Sequence, residues 1–403
     1  MQRPEQIAPA QGVERFELLD IVRGLALFGI VTANMISYSM YLYLPEAAKS
    51  AMDTHAADRV LDFLEIFLIE GKFYTIFSVL FGVGFSVLLS RARAKGLVFH
   101  RFYLRRIAAL FVIGVAHAVL FWHNDILEAY AVCGALLLPF VTARDRTILT
   151  LAVLAYLIPA AAKLVGGIPV GVLADAQGVL FQRIGVTRET LIEAWTQGGI
   201  GLIVRINAAK LLDQVSFVVG SGMLFKIYGC FLFGFYIGRH EAYRKCESGR
   251  SVLKRLAVAG FVIGVPLNAM YAASFDSGSW AETLSGTFGV PTLSCGYVAL
   301  CCLIWLDTRG RHHLRHFAPV GRMALTNYVG QSVICSLIFY GTGLGLGGSM
   351  GPTYYLPIGF AVYAVQVLVS RLWLDRFTFG PLEWVWRMLT YGQRVPLTRG
   401  TAV

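Results

Sequence analysis

Long apolar runs, separated by short basic stretches, follow one another along almost the whole chain. A helix needs ~20 mainly apolar residues to cross the hydrocarbon core of a bilayer. Runs of that kind lie near residues 18–40, 72–91, 103–122, 125–142, 147–165, 216–238, 255–274, 286–306, 319–340 and 354–374. The pattern predicts an all-α protein, a polytopic transmembrane helix bundle of about ten spans, forming a single domain over residues 1–403. Arg91, Arg93, Lys95, Arg101, Arg105 and Arg106 share one short connection, Arg239, Arg244, Lys245, Arg250, Lys254 and Arg255 a second, and Arg309, Arg311 and Arg315 a third. Short basic connections stay on the cytoplasmic side, so an even span count puts both termini in the cytoplasm. Arg144 and Arg146 agree with that count.

Three segments depart from the pattern. Within residues 41–70, Asp53, Asp58, Asp62, Glu65 and Glu70 alternate with Val60, Leu61, Leu64, Phe67 and Leu68, which predicts an amphipathic helix lying on the outer face. Residues 166–214 are too polar to span and are expected to form a long outer loop; its Arg183, Arg188, Arg205 and Lys210 are compatible with that, because long loops are largely exempt from the charge rule. Residues 375–403 are expected to form a cytoplasmic interfacial segment, with Trp384, Trp386 and Arg387 on a short anchoring helix and a frayed tail after Arg394.

Composition agrees with the membrane reading: 56% of residues are hydrophobic and 15% charged, against about 25% charged in soluble domains. The formal net charge of +11 sits in short connections, so it reports topology and not nucleic-acid binding. The seven cysteines lie mostly in apolar runs without a CxxC pair or metal-ligand spacing, and are expected to be packing residues with no disulfide and no metal. The first apolar run is long and interrupted by charge, unlike a cleavable signal. Gly341 to Gly348 superficially resembles a dinucleotide fingerprint, but no strand precedes it. Gly234 and Gly238 form a small-residue pair that lets helices approach closely, and such faces also permit a homodimer.

Polar residues inside the apolar runs are the candidate chemistry, because an ionisable group at membrane depth costs ~2.5–3.5 kcal/mol on insertion scales. Asp20, Arg23 and Asn34 are spaced to share one helix face, as a site or as an anchoring ion pair with a polar neighbour. His117 lies eleven residues beyond Arg106, ~16 Å deeper along a helix. A hairpin after it presents Asp125, which either orients the imidazole or caps the next helix. Lys72 either snorkels to the outer interface or meets a substrate or Glu70. Lys226, near the middle of its run, calls for Asp20, Asp125 or a bound anion as partner. Asn327 and Gln331 are helical neighbours that suit substrate contact or helix-to-helix hydrogen bonding. Arg322 could meet phosphate or lipid headgroups.

Several stretches also carry a resemblance. Leu19-Asp20-x-x-Arg23-Gly24-x-Ala26-x-x-Gly29-Ile30-x-x-x-Asn34, the run from Glu70 to Gly82, Trp122 to Ala131, the Phe231-Leu232-x-Gly234-x-x-x-Gly238-Arg239 stretch, Gly321 to Ser332 and Phe379 to Arg387 resemble the YeiB-like family, catalogued as domain of unknown function 418. Asn124 stands where the family pattern has glycine, and His123 is outside the pattern. The resemblance implies a bacterial inner-membrane protein and, through a more distant similarity to transmembrane acyltransferases of the heparan-glucosaminide N-acetyltransferase and acyltransferase-3 type, transfer of an acyl group. In that reading Arg23, Arg101, Arg105, Arg106 and Arg322 hold the phosphates of an acyl-CoA donor. His117 is the base, Asp125 orients it, and Asn34 or Asn327 donates to the oxyanion. The acceptor would be a hydroxyl or amine on a small molecule, lipid or glycan. The alternative is a transporter or lipid-binding protein in which Lys72, His117, Asp125 and Lys226 form a polar path. A non-catalytic assembly protein with polar helix glue is the third.

Overall fold

The computed structural model describes residues 16–398 except 95, 97 and 188, so Arg15, Lys95 and Arg188 lie outside the described residues. The chain opens with α1 (Glu17–Tyr38), a short α2 (Glu46–Ser50), α3 (His55–Leu68), α4 (Lys72–Ala94) and α5 (Phe99–Leu120). A middle section holds α6 (Leu127–Ala135), α7 (Asp145–Lys163), α8 (Gly171–Ile184), α9 (Leu191–Gln197), α10 (Ile200–Gly220) and α11 (Met223–Arg239). The last third contains α12 (Arg250–Ala273), α13 (Trp280–Leu306), α14 (Thr308–Leu314), α15 (Ala318–Arg322), α16 (Ala324–Phe339), α17 (Pro352–Arg376) and α18 (Pro381–Tyr391).

Among the described residues, seven helical stretches are long and apolar enough to cross a membrane, and an eighth arises if α10 and α11, bent by 62° at their junction, count as one span. The chain is a multi-pass, all-helical membrane protein. Not all of the ten expected runs form helices of that length, because those at 125–142 and 319–340 hold helices that stay short. The first breaks into a 3-10 turn at Leu138–Phe140 around Pro139, which has no amide hydrogen to continue a helix. The second divides at Met323, between α15 and α16.

Residues 166–214 are folded rather than looped, into α8, α9 and most of α10. Their polarity misleads because Asn207 and Lys210 are buried in the protein instead of facing water. Helix α3 is amphipathic as its pattern predicts, but with its acidic side packed inward: Asp58 and Glu65 are buried while Val60, Phe63, Leu64 and Leu68 are exposed. Asp58 accepts hydrogen bonds from Thr54 Oγ1 (2.7 Å), Thr353 N (2.9 Å) and Thr353 Oγ1 (2.7 Å), capping the first turn of α17. Helices α3 and α4 run on almost as a single 40-residue helix.

Glycines set the closest helix contacts. A Cβ on Gly234 would collide with the Val79 carbonyl, and one on Gly238 would lie 2.6 Å from Ser86 Cβ, so this pair packs α11 against α4 within the chain. Gly321 meets the backbone of Asp20 in the same way, fixing α15 against α1.

Candidate functional site

A cavity of about 860 Å³ follows α1 from end to end. Asp20, Arg23, Leu27, Ile30, Asn34 and Ser37 line it, steps of three or four that keep one helix face against the opening. From Asp20 to Ser37 is ~26 Å at 1.5 Å per residue, close to the ~30 Å of a hydrocarbon core. Phe73, Phe77, Phe81 and Leu88 of α4 add apolar lining.

At one end five arginines from five helices line the opening: Arg23, Arg91, Arg106, Arg322 and Arg387. The lining there includes two acids, Asp20 and Glu383. Asp20 is buried and receives Arg23 Nη1 at 2.9 Å. Glu383, on α18, accepts from Leu325 N (2.6 Å), Thr326 N (3.1 Å) and Thr326 Oγ1 (2.5 Å), and so caps α16. Burial pushes its carboxyl above the ordinary range, while the hydrogen bonds from Thr326 and Leu325 pull it back. The Tyr103 hydroxyl, in the lining beside Arg106, is buried without a hydrogen-bond partner. Arg106 stacks over Trp386, its guanidinium carbon 3.5 Å from the ring centroid. Arg101 and Arg105 are exposed and outside the cavity; Arg105 reaches toward the Leu389 carbonyl at 3.5 Å.

The opposite end is lined by Lys49, Asp62, Glu65, Glu70, Lys226 and Tyr271. Lys226 sits in the first turn of α11, beside the bend with α10. The acids acting on it are Glu70 and Glu282, in place of the expected Asp20 or Asp125. Lys72 neither snorkels nor lines the cavity. It is fully buried, donates to the Ile66 carbonyl at 2.7 Å and lies 5.6 Å from the Tyr271 ring centroid.

His117 and Asp125 come together, Nδ1 to Oδ2 at 3.2 Å, although the angle does not make an aligned hydrogen bond. Both are buried and neither lines the cavity. Asp125 Oδ1 accepts from Ile126 N at 2.8 Å and from the Tyr328 hydroxyl at 2.7 Å, and its carbonyl accepts from Gln214 Nε2 at 3.0 Å. Asn327 and Gln331 point away from the cavity: Asn327 Nδ2 donates to Val320 O (3.1 Å) and Ser370 Oγ (2.9 Å), and Gln331 Nε2 to Gln366 Oε1 (2.9 Å), tying α16 to α17.

The cavity thus gathers Asp20, Arg23, Asn34, Arg106, Lys226 and Arg322 from the residues singled out by sequence, and adds Arg91, Arg387, Tyr103 and Tyr328. Arg91 and Arg387 are visible in the sequence only as topology and anchoring signals. Tyr328 sits inside the Thr326-Asn327-Tyr328 stretch with nothing to distinguish a phenol that caps a carboxylate from one that packs. Among the described residues no three His, Cys, Asp or Glu side chains converge as a metal site requires.

The family described as "Protein of unknown function (DUF418)" matches residues 237–393. The chain is 34% identical to the uncharacterized protein YxaH of Bacillus subtilis (strain 168), over 98% of this chain and 99% of that protein. It is 29% identical to an uncharacterized 39.9 kDa protein encoded in the amylase 3′ region of Bacillus acidopullulyticus, over 95% of this chain and 96% of that one. It is also 29% identical to the uncharacterized protein YeiB of Escherichia coli (strain K12), over 94% and 97%. With matches that run nearly end to end in both chains, this multi-pass protein belongs to the YeiB-like DUF418 family.

Proposed function

We propose that the protein is an acyltransferase of the bacterial cytoplasmic membrane, taking an acyl group from a coenzyme A thioester at the arginine end and passing it to a hydroxyl or amine acceptor. The observation that carries this reading is the cavity itself, apolar along its middle and ringed by five arginines at one end. Arginine forks match phosphate oxygens bidentately, and a half-buried cluster of five arginines drawn from five helices suits a polyanionic head. The apolar walls of Phe73, Phe77, Phe81 and Leu88 suit the acyl part. By the charge bias of short connections the arginine end faces the cytoplasm, where acyl thioesters are made.

Thermal shift of the purified protein in detergent, against coenzyme A, acetyl-coenzyme A and palmitoyl-coenzyme A, tests the donor site. A ligand at 100 times its dissociation constant stabilises by ~2.7 kcal/mol, and this gain should vanish in Arg91→Ala or Arg322→Ala. No stabilisation by any thioester would overturn the donor assignment. A carrier for an anionic amphiphile is the second reading, favoured by the exclusion of His117 and Asp125 from the cavity lining. Uptake of a labelled amphiphile into proteoliposomes without acyl transfer would select it.

A further inference from the structure

We propose that Tyr328 is a proton relay joining the cavity to the buried His117–Asp125 pair. Histidine at position 117 cannot act directly on a molecule in the cavity, because it is 2% exposed and does not line it. Tyr328 does line it, and its hydroxyl donates to Asp125 Oδ1 at 2.7 Å. The other carboxylate oxygen of Asp125 faces His117 Nδ1 at 3.2 Å, and the His117 and Tyr328 rings lie 5.5 Å apart. The groups around this centre come from four helices and the connecting turn. They are His117 on α5, Asp125 in the turn, Glu128 on α6, Tyr38 on α1 and Tyr328 on α16. Tyr38 is engaged with Ser332 Oγ at 2.7 Å, Gln214 holds the Asp125 carbonyl, and Glu128, which also meets the Asp125 side chain, does not line the cavity, so the phenol of Tyr328 is the polar link from the cavity to the carboxylate.

The step balances without an outside reagent. An O–H or N–H in the cavity gives its proton to the Tyr328 oxygen as Tyr328 passes its own proton to Asp125 Oδ1. Two bonds to hydrogen break and two form, the tyrosine ends as it began, and the proton rests on the Asp125 carboxyl beside His117. In the acyl-transfer reading, on which this use of the relay rests, the freed electron pair attacks the thioester carbon. The proton then returns along the same path to the leaving thiolate.

The test needs no substrate. Protein labelled with ¹⁵N-histidine is examined in detergent by NMR, with the His117 ring signals assigned from His117→Gln, and exchange of the ring N–H with solvent is timed. A relay through the phenol predicts exchange at least tenfold slower in Tyr328→Phe. A tyrosine that only packs would leave the rate unchanged or, by loosening the site, raise it, and either result overturns the proposal. If Tyr328→Phe fails to fold, 3-fluorotyrosine placed at 328 keeps the shape while making the phenol more acidic; faster exchange supports the relay and an unchanged rate overturns it. Thioester binding measured on the same wild-type sample separates the two ideas, since its absence removes the acyl donor and leaves the exchange result standing.

Discussion

Arg106 and Trp386 hold each other twice. The guanidinium lies over the indole, 3.5 Å from its centroid, and the indole Nε1 donates to the Arg106 carbonyl at 2.8 Å. This double contact fastens α18 to α5 at the arginine end of the cavity, so the carboxyl-terminal helix forms part of the site's wall. Trp386→Phe keeps a ring under the cation and loses the hydrogen bond, at a cost of about 1 kcal/mol. Trp386→Leu also removes the cation–π contact, worth about 0.5–2 kcal/mol more. Denaturation midpoints in detergent should fall in the order wild type, Phe, Leu. Equal midpoints would mean that α18 does not brace the bundle.

The α4–α11 contact makes a second, sharper case. A Cβ at Gly234 meets the Val79 carbonyl, and one at Gly82 meets the Phe231 carbonyl, so two backbones touch where side chains would normally stand. Gly201 on α10 has nothing within 4 Å of the same added atom. Gly234→Ala should therefore destabilise by about 1–3 kcal/mol as the helices are forced apart. Gly201→Ala should be neutral or slightly stabilising, because alanine favours a helix by about 0.8–1 kcal/mol over glycine. Matched thermal melts of the two variants check both signs.

What could be read from the chain follows from what a bilayer demands. Helical runs stand out because backbone polar groups in lipid must be paired internally, and the Asp20, Arg23 and Asn34 stripe stands out because 3.6-residue periodicity survives in any packing. The His117–Asp125 approach is local, a hairpin closing over a few residues. The direction in which a polar face points is not local. Asn327 and Gln331 do share a face, but that face is taken by Gln366 and Ser370 of α17, more than thirty positions away. Asp58 and Glu65 point inward for the same reason, since Thr353 and Tyr355 arrive from α17 to meet them. Polar residues buried by distant partners also explain why residues 166–214 read as a loop.

Asp58 gives a prediction of its own. Its carboxylate takes the Thr353 amide and hydroxyl, supplying from α3 the cap that α17 lacks at Gly351. Asp58→Ala should cost about 1–2 kcal/mol through the lost cap and leave Thr353 unpaired. Asp58→Asn, which retains one acceptor oxygen, should recover part of that. Hydrogen exchange at the first turn of α17 is the direct measurement, with faster exchange in the alanine variant and an intermediate rate in the asparagine one.

His123 sets the expected response to acid. It lies in the turn between α5 and α6, buried, stacked on Trp195 with centroids 5.3 Å apart, and its Nε2 is 3.0 Å from the Tyr43 hydroxyl. Burial first, and then the Lys210 ammonium, hold its basicity well below the ordinary value, against a smaller opposing effect of Asn207. The folded protein therefore keeps this imidazole neutral at a pH where the unfolded chain already binds a proton. Its contribution to stability is complete above the unfolded value of ~6.5 and declines as pH falls from there toward the depressed folded value, by at most ~1.4 kcal/mol per pH unit. His123→Gln removes that titration and leaves every other histidine in place. The difference in thermal midpoint between pH 7.5 and 5.5 should consequently be smaller in the variant than in the wild type. Identical differences would mean that His123 takes up its proton in the folded bundle as readily as in water.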